Sequence, residues 1–224
     1  MRDLLPALQI GDSLFPSGAF SHSSGLETLV ADGVVTSAAH LAEVLDVHLQ
    51  ERLARSDLPA LLAVHAADDP ALVREVDRAL SAVKLSSEER AASERMGLRL
   101  ATECARLAPA PALKALIADV RAGRTPGNAA VALGLATRAL GLSREDAGLV
   151  LCYSTSAALV SAALRLMRLG HGEAQAVLLA AHPAMRAAVT AALDVDWRDL
   201  GPCAPQLDVA AARHQRAAIR LFAS

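Results

Sequence analysis

Residues 143–170 read SREDAGLVLCYSTSAALVSAALRLMRLG, and this stretch indicates the fold more directly than any other. Its first residue, Ser143, is followed three residues later by Asp146, an arrangement in which the serine caps the first turn of a helix. Alanine, leucine and valine dominate the rest, and no proline interrupts them. Gly170 comes after the last apolar residue, as is typical of a helix end. The stretch therefore predicts one long helix over residues 143–169.

The whole chain shares this composition. Of its 224 residues, 53% are hydrophobic but only 2% are aromatic, so the core has to be built from alanine, leucine and valine. Alanine is the best helix former, whereas strands favour aromatic and β-branched residues. Because the sequence shows no repeat and no linker, we expect a single all-α domain over residues 1–224, a bundle of about nine helices.

Further helix starts can be read from the capping residues. Asp57 and Asp69 are each followed by a proline within the next turn, where its missing N–H costs nothing. Ser86 is followed three residues later by Glu89, which is the spacing of a capping box. A last helix is predicted over residues 207–222.

Charge and cysteine usage limit the environment in which the protein works. The net charge is −2 and the pI is near 6.4, so nothing favours nucleic acid or an anionic membrane surface. Cys104, Cys152 and Cys203 lie far apart, as expected for reduced thiols. Charges or prolines interrupt the apolar runs, and no signal peptide is evident at the amino terminus. We expect a cytoplasmic protein that binds neither nucleic acid nor a membrane.

The motifs of catalytic and cofactor sites are absent from the sequence. Neither of the two lysines, Lys84 and Lys114, follows a glycine, so there is no phosphate-binding loop. The motif G-x-S-x-G of serine hydrolases is missing, and a serine next to a histidine in sequence is not a nucleophile next to a base. His40 and His48 are too far apart along a helix, about 12 Å, to share one metal ion. The sequence predicts a protein that is not an enzyme and binds no cofactor tightly.

Two segments remain as candidate recognition surfaces. The first is the Gly/Ser loop that ends the amino-terminal segment (residues 1–21), in which Phe15 and Phe20 act either as anchors of a turn or as part of a docking surface. The second is the tail, residues 207–224, where three arginines fall on one helical face beside Ile219, Leu221 and Phe222. We expect this apolar cluster of the tail to be buried either by the core or by a partner. We expect the tail to be mobile in the isolated protein and to become ordered on a partner.

These same segments resemble the urease accessory protein F (UreF) family. Residues 12–27, DSLFPSGAFSHSSGLE, are similar to the family signature P-x-G-x-F-x-H/Y-S-x-G-L-E. The tail is similar to the family ending P-x-L-D…H-E…R-L-F-x-S, and residues 89–97, 131–135 and 165–175 resemble weaker motifs that lie between the two. The resemblance thus covers almost the whole chain.

The resemblance implies an all-α homodimer that binds urease accessory protein D (called H in some organisms). That complex recruits the accessory GTPase G and acts on apo-urease, into which nickel is inserted. The implied role is a scaffold and GTPase-modulating adaptor, with nickel handled by the complex as a whole. The alternative is a nickel-carrying metallochaperone that uses its own histidines, for which His22 and His214 are the weak candidates. A GTPase activator that supplies an arginine finger is a subsidiary version of the adaptor role.

The family motifs also nominate residues for the partner interface or its packing. The candidates are Phe15, Phe20, Glu27, Arg90, Ser93, Arg165, Gly170, His214, Arg220 and Phe222. The chain departs from the family pattern at four positions, where Asn128, Arg168, His171 and Gln215 replace His, Pro, Gln and Glu. The replacements at 128 and 215 remove two groups that a nickel site would use.

Overall fold

The structure is a computed structural model that describes residues 4–18, 22–217 and 220–222. Within these ranges the chain contains no strand, which confirms the predicted all-α class, but the described residues form twelve α-helices where about nine were expected. The helices are α1 Leu5–Gly11, α2 Leu26–Ala31, α3 Ala38–Val47, α4 Asp57–Ala66, α5 Pro70–Val83, α6 Ser87–Leu107, α7 Pro111–Arg121, α8 Ala129–Ala139, α9 Arg144–Leu166, α10 His171–Ala180, α11 His182–Leu193 and α12 Pro205–His214. A π-helical turn, His48–Arg52, and a 3-10 turn, Leu53–Arg55, join α3 to α4, and a second 3-10 turn spans Trp197–Asp199.

Helix α9 connects two hydrophobic clusters. Its first half, with Ala147 and Val150, packs in a large cluster that includes parts of α4, α5, α6, α7, α8 and α11. Its second half, with Leu159 and Val160, packs in a smaller cluster that includes parts of α2, α3, α10 and α12. Because a helix of this length is about 33 Å long, one element can join both clusters.

The predicted caps are mostly confirmed. Ser143 accepts a hydrogen bond from the N–H of Asp146 at 3.1 Å, and Asp69 accepts one from the N–H of Ala71 at 2.8 Å. Ser86 accepts from the N–H of Glu89 at 3.4 Å. The prediction for Asp57 was wrong, because α4 begins at this residue and its carboxylate pairs with Lys84 instead.

Two predicted helix ends were also wrong. Helix α9 ends at Leu166 because Met167 is extended, and Gly170 precedes α10, where its N–H donates to the carboxylate of Glu173 at 2.9 Å. The last helix ends at His214, and Arg220 to Phe222 are not helical. The predicted positions Phe20 and Ile219 lie outside the described residues.

Among the residues that the structure describes, two segments are long and apolar enough to cross a membrane by length and composition, contrary to the sequence-based expectation that every apolar run is interrupted. They are Arg144–Leu166, which is α9, and His171–Leu193, which holds α10 and α11. About 50% of the first window and 33% of the second are buried inside the protein. Burial in the core accounts for the apolar composition of α9, which joins the two clusters.

Candidate functional site

The tail folds back onto the first turn of α2 through the side chain of Glu27. Oε1 of Glu27 accepts a hydrogen bond from the N–H of Leu221 at 2.7 Å, and Oε2 accepts one from the N–H of Phe222 at 3.2 Å. The same Oε2 lies 2.8 Å from Nε2 of His214. Three groups of the tail therefore converge on one carboxylate near the amino-terminal end of the chain.

Glu88, in the first turn of α6, is the second anchor of the tail. Its Oε2 lies 3.3 Å from Nδ1 of His214, and its Oε1 accepts from Nη1 of Arg220 at 2.5 Å. Next to it, the side-chain amide of Gln215 donates to the hydroxyls of Ser86 and Ser87 at 3.2 and 3.0 Å. The tail is thus held by α2 and α6 together.

The environment of Glu27 favours its ionised form. Burial by itself raises the pKa of this carboxyl, but the hydrogen bonds from Leu221, His214 and Phe222 outweigh burial and bring the pKa below its ordinary value. The carboxylate of Glu27 is therefore a charged acceptor, which forms stronger hydrogen bonds than a neutral one.

Phe222 fills the apolar part of this contact. Its side chain is only 4% exposed and belongs to the smaller cluster together with Leu26 and Leu159. The guanidinium of Arg165 on α9 lies 4.4 Å from the centre of the Phe222 ring, which is a cation–π contact. Among the described residues of the tail, Phe222 is therefore buried by the chain itself, while the expected mobility of the tail stays a prediction. Whether a partner also binds these residues stays a prediction.

The other candidates from the family motifs have contacts inside the chain. Arg90 donates to the carbonyls of Lys84 and Leu85 just after α5 ends. Ser93 accepts from the N–H of Ala129 at 3.1 Å and so satisfies a donor at the start of α8. Phe15 is partly buried against the larger cluster, as an anchor of a turn would be.

Asn128, one of the departures from the family pattern, is fully buried beside the carboxylate of Asp77. Its side-chain amide donates to Oδ1 of Asp77 at 2.8 Å and to the hydroxyl of Ser81 at 2.9 Å. The same carboxylate accepts from the hydroxyl of Thr125 and from the N–H of Gly127. Asn128 therefore belongs to a buried hydrogen-bond network in the turn before α8.

A cavity of about 160 Å³ is not apparent from the sequence. We name it the polar cavity after the charged and histidine side chains in its lining, which include His22, His48, Arg52, Asp57, Lys84, Glu89 and Asp208. The π-helical turn directs His48 and Arg52 towards this polar cavity, and such turns often occur at functional sites. Nη2 of Arg52 lies 2.7 Å from Glu89 and 3.5 Å from Asp208, so the arginine links α6 to α12. Nη1 of Arg52 is buried and has no hydrogen-bond partner among the described residues.

The charges around the polar cavity are largely compensated. Lys84 and Asp57 form an ion pair at 2.8 Å, and although burial raises the pKa of Asp57, the pair with Lys84 brings it below its ordinary value. Burial, together with the neighbouring Arg52, lowers the pKa of His48 to about 3, so this histidine is neutral. Burial also raises the pKa of Asp208.

His22 and His214, the weak candidates for nickel ligands, have different surroundings. His22 lines the polar cavity, and its pKa is lowered by burial and by Arg95. His214 has a carboxylate at each ring nitrogen. In the part of the chain that the structure describes, no group of three or more His, Cys, Asp or Glu side chains has an arrangement able to hold a metal ion.

Of the residues that line the polar cavity, the sequence nominated His22 and Ser93 but not Arg52 or Asp208. Sequence analysis interpreted Glu88 and Glu89 as helix-start carboxylates, whereas they also pair with His214 and Arg52. One signal was available: His48, Arg52 and Ser56 recur every four residues in a segment whose other buried residues are Leu49, Leu53 and Ala54. Polar side chains at that spacing on an apolar face indicate a buried polar network.

An apolar groove forms a separate surface between α1 and the helices α9 and α10. Its volume is about 990 Å³. Leu5 and Leu8 of α1 project beside it with 72% and 66% of their surfaces exposed, and the nearby Leu14 is 89% exposed. Exposed apolar residues gathered in this way are typical of a protein–protein contact.

Comparison with known proteins gives one consistent result. The UreF family model matches residues 35–182, more than half of the chain. The chain is 34% identical to urease accessory protein UreF of Paenarthrobacter aurescens over 216 residues, with 96% of each chain covered. It is 31% identical to the protein of the same name from Bacillus sp. strain TB-90, with all of both chains covered. It is also 33% identical to urease accessory protein UreF 1 of Brucella melitensis, over 98% of this chain and 92% of the relative.

These relatives are named as accessory proteins and not as enzymes, which agrees with the sequence-based prediction of a non-catalytic protein. The similarity extends over the amino-terminal signature, the helical body and the tail, which the structure brings together at Glu27 and Glu88. The chain therefore belongs to the UreF family of urease accessory proteins.

Proposed function

We propose that this protein is a cytoplasmic, non-catalytic adaptor in the assembly that inserts nickel into apo-urease. In this role it binds urease accessory protein D/H, recruits the accessory GTPase G and modulates its activity, while nickel is the cargo of the whole complex. The observation that supports the proposal most strongly is the similarity to proteins named urease accessory protein UreF over the full length of the chain.

The surface around the tail is the one we propose for protein D/H. The buried ring of Phe222 lies beneath Arg165, and Arg220, two residues earlier, pairs with Glu88 and has 38% of its side chain exposed. Aromatic residues and arginines are enriched at the centre of many protein interfaces. Five of the residues nominated by the family motifs meet here: Glu27, Arg165, His214, Arg220 and Phe222.

We further propose that the apolar groove beside α1 is the surface for a homodimer. The same copy carries both the groove and the projecting leucines, so two copies related by a two-fold axis can each insert Leu8 into the other. Light scattering on the purified protein is expected to give the mass of a dimer. Leu8→Asp should shift it to the monomer, whereas Leu107→Asp, at an exposed leucine on α6, should not.

Co-expression tests the adaptor role. The chain, carrying an affinity tag, is produced together with protein D/H and the GTPase, and we expect all three to co-purify. Arg220→Ala is expected to weaken recovery of protein D/H, because it removes a charge beside Phe222. The matched control is Arg186→Ala, at an exposed arginine on α11 away from the tail. Equal recovery with both variants, or no recruitment of the GTPase in any nucleotide state, would contradict the proposal.

Titration with nickel distinguishes the adaptor from the metallochaperone alternative. The adaptor role predicts only weak binding to the isolated protein, measured by calorimetry. A stoichiometric submicromolar site that disappears with His22→Ala or His214→Ala would favour the metallochaperone instead.

A further inference from the structure

A second apolar pocket lies between α5, α7 and α8, and it shares no lining residue with the groove beside α1 or with the polar cavity. We call it the α7 pocket. Its volume is about 480 Å³, which is within the range of pockets that bind ligands. Ala112, Ala115 and Asp119 recur at the spacing of one helical face, so a single face of α7 forms one wall. Leu135 and Ala139 of α8 lie on another wall.

Small side chains keep the α7 pocket open. Five of its lining residues are alanines, at positions 67, 110, 112, 115 and 139. Ala112, Ala115 and Ala139 are only partly buried, so apolar surface remains in contact with water. Covering apolar surface is favourable by about 25 cal/mol per Å². An apolar group that enters the pocket from outside is therefore stabilised there.

Three arginines gather at the end of the α7 pocket that Asp119 forms. Oδ2 of Asp119 accepts a hydrogen bond from Nη1 of Arg74 at 3.0 Å, and Oδ1 accepts one from Nε of Arg124 at 2.8 Å. Nη2 of Arg78 donates to the carbonyl oxygen of Arg124 at 2.6 Å. Three guanidinium groups are thus close to a single carboxylate.

The two ends of the α7 pocket differ in charge. At one end Arg138 pairs with Asp68, so the two charges cancel. At the end formed by Asp119, the arginines outnumber the acids. Within the described part of the chain, Arg78 and Arg121 form no salt bridge, and neither does Glu75, which is exposed on α5. An anionic group is therefore attracted to this end of the pocket.

The turn that carries the third arginine is fixed from its buried side. The carboxylate of Asp77 is fully buried and accepts hydrogen bonds from the hydroxyl of Thr125 at 2.7 Å, from the N–H of Gly127 at 2.6 Å and from the N–H of Asn128 at 2.8 Å. These bonds satisfy the buried charge of Asp77 and hold the backbone next to Arg124. A preformed arrangement of this kind lowers the entropic cost of binding a partner.

We propose that the α7 pocket and the arginines beside it form a docking site for a protein partner that inserts an apolar side chain flanked by acidic residues. The apolar side chain fills the pocket, and the neighbouring carboxylates bind the guanidinium groups, which match a carboxylate through two parallel N–H groups. Arg78 and Arg124 do not line the pocket, and 54% of the Arg124 side chain is exposed. The occupant therefore has to extend from the pocket to the surface, as a chain segment does. The site is separate from the tail and from the groove beside α1, so it goes beyond the proposed function.

Selection from a library of short random peptides displayed on phage tests this site on the full-length protein. The library is first depleted on Ala115→Leu, whose longer side chain fills the pocket from α7, so that peptides for other surfaces are removed. We expect the peptides that the unaltered protein then retains to combine leucine, methionine or phenylalanine with aspartate or glutamate. Thermal melts followed by circular dichroism check that each variant is folded.

Fluorescence anisotropy with a retained peptide measures how each part of the site contributes. Ala139→Leu, which fills the pocket from α8, should weaken binding by about tenfold or more, because the apolar side chain loses its pocket. The matched control is Ala118→Leu, at an exposed alanine of α7 outside the pocket, which should leave the affinity unchanged. Arg78→Glu, which leaves the pocket itself intact, should weaken binding by roughly three- to tenfold, whereas Arg186→Glu on α11 should not.

Three outcomes would overturn the docking site. The first is that no peptide is retained after the depletion, and the second is that the retained peptides lack acidic residues. The third is that Ala139→Leu and Ala118→Leu bind a retained peptide equally well. None of these outcomes affects the adaptor role, which the co-purification experiment tests separately.

Discussion

At Gly97 of α6 a single hydrogen atom allows two parts of the backbone to touch. A Cβ atom built at this position would lie 2.0 Å from the carbonyl oxygen of Gly127 and 2.6 Å from the carbonyl carbon of Asn128. Both atoms belong to the turn before α8, which Asp77 holds in place through hydrogen bonds. The turn therefore has little freedom to move away, and glycine is required for this contact and not for a special backbone conformation.

We expect Gly97→Ala to lower the free energy of unfolding by about 2–3 kcal/mol, even though alanine is by itself the better helix former. Urea denaturation followed by circular dichroism measures the change. Gly172→Ala on α10 is the control, because nothing lies within 4 Å of its added methyl group, and we expect no loss or a gain of up to about 1 kcal/mol. Equal stability of the two variants would show that the turn at Gly127 moves to make room for the added methyl group.

Single residues were also the hardest to assign from sequence. Glu27, Arg165, His214, Arg220 and Phe222 were selected through the family resemblance, and the structure brings them together. Their partner Glu88 was interpreted as a capping residue, because a carboxylate in a first helical turn is stabilised there with or without further contacts. Long-range pairing leaves no local trace in a sequence, so the identity of each partner had to come from the fold.

At the scale of elements, the π-helical turn between α3 and α4 determines which polar side chains face the interior. One extra residue in the turn changes which side chains face inward, so that His48 and Arg52 lie at the polar cavity among buried leucines. In the sequence, Leu41, Leu45, Leu49 and Leu53 have the spacing of a regular one-sided helix through this region. Periodicity does not reveal a π turn, because the leucines on either side keep their helical spacing.

The burial of His48 predicts a loss of stability in mild acid. Its pKa in the folded protein is about 3, below the ordinary value of about 6.5, so the unfolded chain takes up a proton that the folded chain does not. Stability is therefore complete above about pH 6.5 and falls as the pH drops from 6.5 towards 3, by at most about 1.4 kcal/mol per unit from this residue. His22 and His65 add to the loss, since their pKa values are also lowered by burial.

Urea denaturation between pH 6.5 and 5 tests this prediction. His48→Gln is expected to flatten the dependence of stability on pH by about 1.4 kcal/mol per unit. The control is Leu49→Ala, a buried and uncharged neighbour in the same turn, which should lower stability equally at each pH. If His48→Gln keeps the original slope, this histidine takes up its proton in the folded protein.

Helix starts were predicted better than helix ends. Ser143, Asp69 and Ser86 carry side chains that satisfy the first backbone donors, so the sequence marks these positions directly. Gly170 misled because glycine is accepted both after a helix and just before one, and here it precedes α10. The tail misled because its arginine spacing suits a helix, whereas Glu27 binds the backbone of Leu221 and Phe222 in a non-helical form.

For the whole molecule, the all-α class followed from composition, because a chain with abundant alanine and few aromatics favours helices. The division into two clusters joined by α9 did not follow, since it depends on which helices meet in space. If the tail is mobile, as expected from the sequence, removing residues 213–224 should leave the melting temperature nearly intact. The buried His214 and Phe222 lead to a different prediction.

We now expect removal of residues 213–224 to lower the melting temperature by roughly 5–15 °C while most of the helical signal remains. The loss of Phe222 burial and of the partners of Glu27 and Glu88 costs about 2–4 kcal/mol, and each kcal/mol corresponds to about 2–4 °C for a domain of this size. Thermal melts followed by circular dichroism give the value. Phe222→Ala should reproduce much of the decrease, whereas Leu221→Ala, at a residue 60% exposed, should have little effect. A deletion that melts with the intact protein would place the tail outside the stable core.

The contact between Glu27 and the tail also determines when during protein synthesis this part of the fold can be completed. The two partners Glu27 and Leu221 are 194 positions apart, so α2 is made long before the groups that complete its surroundings. At ordinary rates of protein synthesis this interval lasts roughly 10–40 s. The larger cluster consists mainly of residues from the middle of the chain, so it can pack while the chain is still on the ribosome. The apolar surface that binds Phe222 stays exposed during this time. We therefore expect nascent chains to pass through a stage in which the larger cluster is packed while the apolar surface that binds Phe222 is still exposed, and a ribosome-associated chaperone can bind that surface.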